Sequence, residues 1–195
     1  MVATVAMVAL TDEPSPPSSF VRHCLTRVRS TWTDQAAALD VAMGVGRHSV
    51  ILAEAGFAVF GVDRDHKRLT RARARLGEQG LSARMWTADL EVGRALPRSR
   101  FDLVVCTRYL QRTLWDELSE TVRPGGFVIY ETFTTTQRRY DWGPRSPEFL
   151  LEPGGELRRA FGGWEVWEYE ECEAPAAEAR LLARRPPREG DSGGR

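Results

Sequence analysis

The chain is 195 residues long; 42% of its residues are hydrophobic and 28% are charged. This length and balance fit one globular domain and argue against two large domains, a fibrous protein and a membrane-spanning protein. Because the 27 basic and 27 acidic residues cancel, no overall electrostatic field would attract the chain to nucleic acid or to an anionic membrane. We therefore expect no membrane partner, and the charge balance disfavours nucleic acid.

The three cysteines, Cys24, Cys106 and Cys172, are odd in number and far apart. They form no CxxC pair and no Cys/His cluster, which argues against disulfide bonds and against a metal site. A cytoplasmic location is what this pattern predicts. The apolar stretch at residues 2–10 is too short to cross a membrane and follows no basic residue, so we interpret residues 1–17 as a flexible N-terminal tail.

Serines at positions 18 and 19 can cap a short amphipathic helix, so the folded domain is expected to begin at residue 18. From residue 36 onward, apolar runs typical of strands alternate with helical patterns. Strands are predicted at residues 37–42, 57–62, 83–87, 101–106 and 127–133. Helices are predicted from the glycine-rich turn to Ala55, from Asp65 to Gly77 and along residues 110–122, with a turn at Pro124-Gly125-Gly126.

This alternation predicts a mostly parallel sheet with helices on both faces, because parallel strands require crossover connections. The end of the chain differs: after a helix at residues 156–161, strand-like runs at residues 164–169 and 179–183 form a hairpin pattern. Residues 186–195 are rich in proline, glycine and charge, which predicts a disordered C-terminal tail after a domain at residues 18–185.

The first predicted strand leads directly into a glycine-rich turn, Asp40-Val41-Ala42-Met43-Gly44-Val45-Gly46. Glycines at such a turn let the backbone approach a ligand and point helix N–H groups at its negative part. Asp63 follows the next strand, where a carboxylate can accept hydrogen bonds from both hydroxyls of a ribose. These features predict a ligand that contains a nucleoside. A nicotinamide dinucleotide fits less well, because Ser49 replaces the third glycine of G-x-G-x-x-G.

The turn resembles motif I of the class I S-adenosylmethionine-dependent methyltransferases, D/E-x-G-x-G-x-G, and residues 101–105 and 123–126 resemble later strand signatures of that family. The resemblance implies that S-adenosyl-L-methionine is the cofactor, that Asp63 binds its ribose and that Asp89 of Thr87-Ala88-Asp89-Leu90 contacts its adenine. The implied cofactor-binding residues are Asp40, Ala42, Gly44, Gly46, Asp63, Asp89 and Leu90.

Residues 46–49 and 130–133, with the sequences Gly-Arg-His-Ser and Tyr-Glu-Thr-Phe, are most similar to small bacterial methyltransferases of the tellurite-resistance type. The resemblance implies an α/β, Rossmann-like fold. Its sheet has seven strands, mostly parallel, in the order 3-2-1-4-5-7-6, and ends in an antiparallel hairpin.

Ala42 departs from the family pattern, which has a glycine there. An alanine at a strand end needs only a negative φ, so with β geometry the change would have little effect beyond the shape of the contact. We then expect Ala42→Gly to keep or improve cofactor binding and to lose about 0.5–1 kcal/mol of stability through added chain entropy.

Three further residues have competing interpretations. Asp40 either holds the cofactor's ammonium group, directly or through water, or caps the following turn. His48 is expected to pack or form hydrogen bonds, because no carboxylate or cysteine is spaced to orient it as a base. Cys106 ends the fourth strand, where cytosine-methylating enzymes carry a nucleophile, but the proline that precedes that nucleophile is absent and a cysteine in an apolar strand usually belongs to the core.

The methyl acceptor is expected at the carboxyl edge of the sheet, where open α/β folds bind ligands. Arg108 and Tyr109 follow the fourth strand, and Glu131 lies at the end of the fifth. Residues 134–145, which include Tyr140, form either a lid over this edge or a plain surface loop. We predict an acceptor site formed by Arg108, Tyr109, Glu131 and Tyr140, with Glu131 as the candidate general base.

The sequence thus predicts an S-adenosylmethionine-dependent methyltransferase that acts on a small-molecule nucleophile without a metal. The alternatives are an NAD(P)-dependent oxidoreductase, a methyltransferase acting on a macromolecule (protein or RNA), and a non-catalytic cofactor-binding domain. A thermal-shift comparison of S-adenosylmethionine with NAD and NADP would separate the first and the last of these alternatives from the methyltransferase.

Overall fold

The computed structural model describes residues 15–32 and 36–187. The apolar stretch at residues 2–10, most of the predicted N-terminal tail and residues 188–195 of the predicted C-terminal tail lie outside the described residues.

Seven strands form one sheet in the order β3-β2-β1-β4-β5-β7-β6. The strands are β1 Ala37–Val41, β2 Ala58–Asp63, β3 Arg84–Thr87, β4 Phe101–Thr107, β5 Val122–Phe133, β6 Glu165–Cys172 and β7 Glu178–Arg184. The pairs among β1 to β5 are parallel, whereas β7 runs antiparallel to both β5 and β6. This arrangement confirms the predicted mostly parallel sheet, its strand order and the terminal hairpin.

The α-helices are α1 Ser19–Val28, α2 Arg47–Glu54, α3 His66–Glu78, α4 Trp115–Thr121 and α5 Glu156–Ala160. The Ser18 side chain caps α1 by accepting a hydrogen bond from the Val21 N–H, 3.4 Å away. The Asp65 carboxylate caps α3 by accepting from the N–H groups of Lys67 and Arg68, at 2.8 and 3.3 Å. Side-chain oxygens satisfy N–H groups that have no partner within the helix, and this explains where both helices begin.

Apolar residues of the sheet alternate between two faces, as the pleat of a strand requires. Leu39 and Val41 belong to a core cluster that α4 and α5 cover with Leu118 and Leu157. Residues of the opposite face belong to a second cluster, which α1 and α2 cover with their own apolar side chains: Ala38, Val59, Val105, Phe20, Val21, Ile51 and Leu52. Helices therefore lie on both faces, as predicted.

The crossover from β3 to β4 differs from the predicted alternation. None of residues 88–100, all of which the structure describes, is helical. The segment is instead held to the sheet by Leu90 and Leu96, which are buried in the same core cluster as Leu39. The carboxylate of Glu117 accepts hydrogen bonds from the N–H groups of Ala95 and Leu96, at 2.7 and 2.5 Å. Contacts with distant residues therefore fix this segment in place of helical hydrogen bonds.

The turn predicted at Pro124-Gly125-Gly126 is wrong, because these residues lie within β5, which begins at Val122. The register with β4 jumps from Phe101 opposite Val122 to Leu103 opposite Phe127, so the strand bulges here. Proline has no N–H to donate to the ladder, and Gly125 has a φ of +79°. The chain therefore accommodates these residues as a bulge and continues in the same strand.

Candidate cofactor and acceptor site

The glycine-rich turn connects β1 to α2 at the carboxyl edge of the sheet. Its backbone is tied to β2, since the Met43 N–H donates to the Val62 carbonyl over 3.0 Å. Gly46 has a φ of +75°, and a Cβ added there would lie 3.0 Å from the Ala72 Cβ of α3. Gly44 has a φ of +56° and no atom within 4 Å of an added Cβ. The turn thus packs tightly at Gly46 and leaves open space at Gly44, where a ligand can approach the backbone.

The β geometry with a negative φ that was assumed for Ala42 is wrong. Ala42 follows the last residue of β1 with a φ of +52°, in the left-handed region, and does not have β geometry. An L-residue with a Cβ is strained in this region by roughly 1–2 kcal/mol, whereas glycine is not. The alanine therefore replaces glycine at a position where the backbone favours glycine.

Asp63 is the last residue of β2, and its side chain is buried. Its Oδ2 accepts a hydrogen bond from the Gly44 N–H over 2.8 Å, and its Oδ1 accepts from the Asp65 N–H over 2.9 Å. Each carboxylate oxygen can accept a further hydrogen bond, so the carboxylate can still bind the two hydroxyls of a ribose. Asp63 therefore stabilises the turn itself and is oriented by it.

Asp40 is 1% exposed, and its Oδ2 accepts a hydrogen bond from the Ser49 hydroxyl of α2 over 2.7 Å. Burial raises the pKa of this carboxyl from 3.8 to about 7, while the Ser49 hydrogen bond and the Arg47 charge oppose the rise. In this structure Asp40 joins β1 to the first turn of α2. A role in holding the cofactor's ammonium group stays a prediction.

Asp89 and Leu90 follow β3 and have different environments. Asp89 is exposed, and its Oδ1 accepts a hydrogen bond from the Glu91 N–H over 2.9 Å. Leu90 is 6% exposed and packs in the sheet core. Together with the open space at Gly44 and the oriented Asp63 carboxylate, the accessible Asp89 gives this edge acceptors for the hydroxyl and amino groups of a nucleoside. The residues present therefore fit S-adenosylmethionine.

Arg108, Tyr109 and Glu131 are brought together by the ends of the neighbouring strands β4 and β5. The Arg108 N–H donates to the Glu131 carbonyl over 2.8 Å, and Arg108 has a left-handed backbone with a φ of +53°. The Tyr130 hydroxyl donates to the Tyr109 carbonyl over 2.8 Å, and burial raises the pKa of the Tyr109 hydroxyl well above its usual value. These two hydrogen bonds keep the segment after β4 close to β5.

The Glu131 carboxylate is 2% exposed and lies in a buried polar network. Its Oε2 accepts a hydrogen bond from the Ser18 hydroxyl over 2.8 Å and lies 3.0 Å from Nε of Arg180. Arg180 also pairs with Glu178 and Glu170, at 2.9 and 2.8 Å. Burial, followed by the nearby Glu178 charge, raises the pKa of Glu131 above its ordinary value.

His48 connects this network to β4. The Ser18 N–H donates to Nε2 of His48 over 3.1 Å, so the neutral ring carries its proton on Nδ1. Nδ1 lies 3.1 Å from the Thr107 hydroxyl oxygen and donates to it. Burial, and then the charge of Arg47, lowers the pKa of His48 to about 3. His48 is thus a neutral hydrogen-bonding residue in this structure.

Ser18, Thr107 and Arg180 contact the predicted site residues, although no sequence pattern predicted them there. Thr107 could have been found, because it stands between Cys106 and Arg108 at the end of β4. Ser18 was identified only as a helix cap. Its contact with Glu131 spans 113 positions in the sequence, and no local pattern predicts such a contact. Cys106 itself is fully buried, and burial raises the pKa of its thiol to about 12. A thiol with this pKa stays protonated and is a poor nucleophile.

The contacts of Tyr140 differ from those of the other predicted acceptor residues. Its hydroxyl donates to the carbonyl of Glu173, in the loop between β6 and β7. The segment that carries it includes a 3-10 helix, Thr135–Arg139, and the fully buried Gln137. Gln137 accepts from the Ala177 N–H over 2.9 Å and donates to the Trp142 carbonyl over 3.0 Å. The Ala177 bond anchors the segment to the same loop, and the Trp142 bond holds the segment's own fold. Its action as a lid stays a prediction.

The described residues contain neither a metal-binding cluster nor a membrane-spanning helix. Within residues 15–32 and 36–187, no group of three or more His, Cys, Asp or Glu side chains is arranged to hold a metal ion. In the same part of the chain, no helix is long and apolar enough to cross a membrane.

Comparison with known proteins extends this picture. Residues 38–126 match the family described as "Methyltransferase domain". Two similar relatives are ubiquinone biosynthesis O-methyltransferases from Aromatoleum aromaticum and Thiobacillus denitrificans, 29% and 28% identical over 141 residues. Each alignment covers 67% of this chain, and the shares of the two relatives are 60% and 61%. The chain thus spans about 60% of the length of these curated relatives.

Solved structures show the same fold. TehB from Haemophilus influenzae superposes with a TM-score of 0.68 at 18% identity, covering 84% of this chain and 62% of TehB. An S-adenosylmethionine-dependent methyltransferase from Mesorhizobium loti superposes with a TM-score of 0.61 at 21% identity, covering 82% of this chain and 96% of that one. The strand order, the glycine-rich turn with Asp63 and these similarities all indicate a methyltransferase fold. Residues 38–126 match a methyltransferase domain, and the chain is similar to S-adenosylmethionine-dependent methyltransferases.

Proposed function

We propose that this protein transfers a methyl group from S-adenosylmethionine to the oxygen of a small molecule. The observation that carries the proposal is the contact between Asp63 and the Gly44 N–H, which fixes a ribose-binding carboxylate against an open glycine-rich turn. The family match and the named O-methyltransferase relatives support this function over the oxidoreductase alternative.

The cofactor, when bound, supplies a methyl group that its sulfonium has already activated for displacement. The chain's own residues then have to bind the cofactor and the acceptor, orient them, and exclude water. Asp63 would bind the ribose, and Asp89 would contact the adenine. Asp40 and Ser49 keep the first turn of α2 in place beside the glycine-rich turn. The proposed methyl transfer does not require a metal.

The acceptor would lie at the ends of β4 and β5. An oxygen acceptor that arrives as a hydroxyl must lose a proton, and Glu131 is a carboxylate whose raised pKa suits a general base. Ser18 and Arg180 hold the Glu131 carboxylate in position. Arg108 and Tyr109 line the neighbouring strand end, where they would orient the acceptor.

A binding experiment tests the cofactor part of the proposal. We expect S-adenosylmethionine and S-adenosylhomocysteine to raise the unfolding temperature, because a ligand at ten times its Kd stabilises by about 1.4 kcal/mol. NAD and NADP should leave the unfolding temperature unchanged. Stabilisation by a dinucleotide alone would favour an oxidoreductase, and no response to any of the four would contradict the proposal.

An activity experiment tests the acceptor part. Incubation with methyl-labelled cofactor and separated cell fractions should place the label in the small-molecule fraction, at an oxygen. Label that appears only in the protein or RNA fraction would support the macromolecular alternative and overturn a small-molecule acceptor.

Once an acceptor is known, Glu131→Gln should reduce kcat about a hundred-fold or more if Glu131 is the general base, while cofactor affinity persists. Tyr109→Phe should also reduce turnover without affecting cofactor binding. The deficit of Glu131→Gln should shrink for acceptors that are already deprotonated at the assay pH. Wild-type rates in both variants would indicate that the acceptor site lies elsewhere on the sheet edge.

We also propose a reducing compartment such as the cytoplasm as the setting. Cys24, Cys106 and Cys172 are free thiols, and the first two are buried. The structure describes all three, and none is in a disulfide bond. Likewise we propose that residues 18–185 form the methyltransferase domain, with flanking tails. Proteolysis that trims both ends without loss of cofactor binding would support these limits.

A further inference from the structure

The non-helical crossover between β3 and β4 leaves a pocket of about 310 Å³ on the face of the sheet that α4 and α5 cover elsewhere. This volume lies at the lower end of the range for small-molecule sites. Residues of β2, β3, β4 and the crossover line it, among them Phe60, Arg84, Trp86, Pro97, Arg100 and Phe101.

Most of the pocket lining lies away from the carboxyl edge that holds Asp63, and Trp86, next to the last residue of β3, is the lining residue nearest that edge. Arg84 and Phe101 are the first residues of β3 and β4, and Phe60 lies three positions before the end of β2. The turn with Gly44 and the acceptor residues follow the opposite ends of their strands. A ligand in this pocket would therefore occupy a site separate from the proposed cofactor and acceptor site.

Aromatic rings form the wall of the pocket. Phe60 and Phe101 pack edge to face with ring centroids 5.3 Å apart, and Trp86 lies next to them in the lining. Phe101 is 1% exposed, whereas Phe60 and Trp86 remain partly accessible. Such a wall favours a flat, apolar ligand that can stack on the accessible Trp86 ring.

Two arginines give the pocket a positive charge. The guanidinium carbons of Arg84 and Arg100 lie 5.4 and 5.9 Å from the centre of the Phe60 ring. Over the described residues 15–32 and 36–187, neither side chain forms an ion pair with a carboxylate, whereas nearby Arg94 and Arg123 pair with Glu120 and Asp102. Both guanidinium groups lie close to the same ring centre, so both can attract an anion that binds at this end of the pocket. The guanidinium geometry suits a carboxylate in particular.

We propose that this pocket binds a small planar aromatic carboxylate. Its ring system would stack against Trp86, because the two guanidinium groups already lie over the Phe60 ring, and its carboxylate would face Arg84 and Arg100. A volume of 310 Å³ equals the space of about ten water molecules in the liquid, which accommodates one or two fused rings. The inference does not depend on the proposed methyl transfer.

The test is calorimetric titration of the full chain with 2-naphthoate, in the presence of saturating S-adenosylhomocysteine so that the cofactor site is filled. We expect saturable binding with a Kd of about 1 mM or below. The neutral isostere 2-naphthamide should bind at least ten-fold more weakly, because it lacks the charge that the arginines recognise.

Arg84→Met and Arg100→Met should each weaken 2-naphthoate binding at least ten-fold. Both arginines are exposed, so the variants should fold, which their thermal unfolding checks. Arg73→Met, which removes an exposed arginine of α3, is the matched control and should bind 2-naphthoate as the wild type does. Glu131→Gln should also retain the affinity, which separates this pocket from the acceptor site.

Three outcomes would overturn the inference: no saturable binding, equal affinity for the acid and the amide, or unchanged affinity in both arginine variants. Binding of 2-naphthoate that disappears when S-adenosylhomocysteine is added would place it in the cofactor site and would also overturn it. Failure of S-adenosylhomocysteine to bind, with 2-naphthoate binding intact and arginine-dependent, would contradict the proposed function and leave this inference standing.

Discussion

Ala42 and Arg108 have left-handed backbones, with φ values of +52° and +53°, and each directly follows one of two neighbouring strands, β1 and β4. Residues with a Cβ are uncommon in this region, and such strain is concentrated at functional sites, where surrounding contacts hold it in place. At Ala42 the holding contact is the bond from the Met43 N–H to Val62. At Arg108 it is the bond from its own N–H to Glu131.

The backbone of Ala42 reverses the stability change expected from the sequence. Ala42→Gly should relieve roughly 1–2 kcal/mol of strain and lose about 0.4–1 kcal/mol to chain entropy, a net stabilisation of about 0.5–1 kcal/mol. Urea unfolding measures the change. Ala53→Gly in α2 is the control and should destabilise the protein by about 0.5–1 kcal/mol. Equal destabilisation by both variants would contradict the left-handed conformation at Ala42.

Asp63 has two tasks that can be measured separately. Asp63→Ala should weaken S-adenosylmethionine binding about ten- to a hundred-fold, through the loss of a charge-assisted hydrogen bond of roughly 1.5–3 kcal/mol. It should also destabilise the unliganded protein, because the Gly44 and Asp65 N–H groups lose their acceptor. Calorimetry and urea unfolding report the two effects. Asp141→Ala, at an exposed loop position, should change neither. Unchanged cofactor affinity in Asp63→Ala would remove the ribose assignment.

At the scale of elements, α1 is attached to the acceptor edge through the residue that begins it. Ser18 caps α1, donates its hydroxyl proton to Glu131 and donates its N–H to His48. Ser18 therefore both defines the start of α1 and positions Glu131, the candidate general base.

Ser18→Ala removes the cap and one of the hydrogen bonds to Glu131, so it should destabilise the protein by about 1–2 kcal/mol. Because that hydrogen bond lowers the pKa of Glu131, its loss should shift the acidic limb of the pH–rate profile to higher pH. Ser19→Ala is the matched control: Ser19 is exposed, and its loss should change stability by less than about 0.5 kcal/mol. Identical behaviour of the two variants would contradict the role given to Ser18.

The elements that the sequence predicted correctly are those with local signals. The strands β1 to β4, the Asp65 cap and the final hairpin follow from apolar periodicity and capping residues. The bulge in β5 and the non-helical crossover could not be predicted, because they depend on pairing with Phe101 and on hydrogen bonds from residues 95 and 96 to Glu117. The cofactor turn was found from its glycines, whereas the links among Ser18, His48 and Glu131 join distant parts of the chain.

At the scale of the whole molecule, two buried titratable groups shift the pH dependence of stability in opposite directions. The pKa of Asp40 rises from 3.8 to about 7, so folding favours its neutral form and stability is lost as the pH rises through this interval. The pKa of His48 falls from 6.5 to about 3, so stability is lost as the pH falls through that interval.

Asp40→Asn isolates the first effect, because His48 is unchanged in the variant. Relative to the wild type, Asp40→Asn should gain on the order of 2–3 kcal/mol of unfolding free energy between pH 5 and pH 8. Urea unfolding of both proteins at the two pH values gives this difference. If the unfolding free energies of the two proteins change in parallel with pH, Asp40 does not titrate between its pKa in the unfolded state and pH 7.

The place of β7 has a consequence for how the protein is made. β7 is the last strand along the described chain, yet it lies between β5 and β6 in the sheet. Its end is synthesised about 50 residues after the end of β5, which takes the ribosome roughly 3–10 s. During that interval β5 exposes an unpaired edge next to the apolar residues Val128, Ile129 and Tyr130, and such an edge recruits strands from other chains. The nascent polypeptide is therefore most vulnerable to aggregation while translation is still under way, and a slow stretch of translation between β5 and β7 would prolong that exposure.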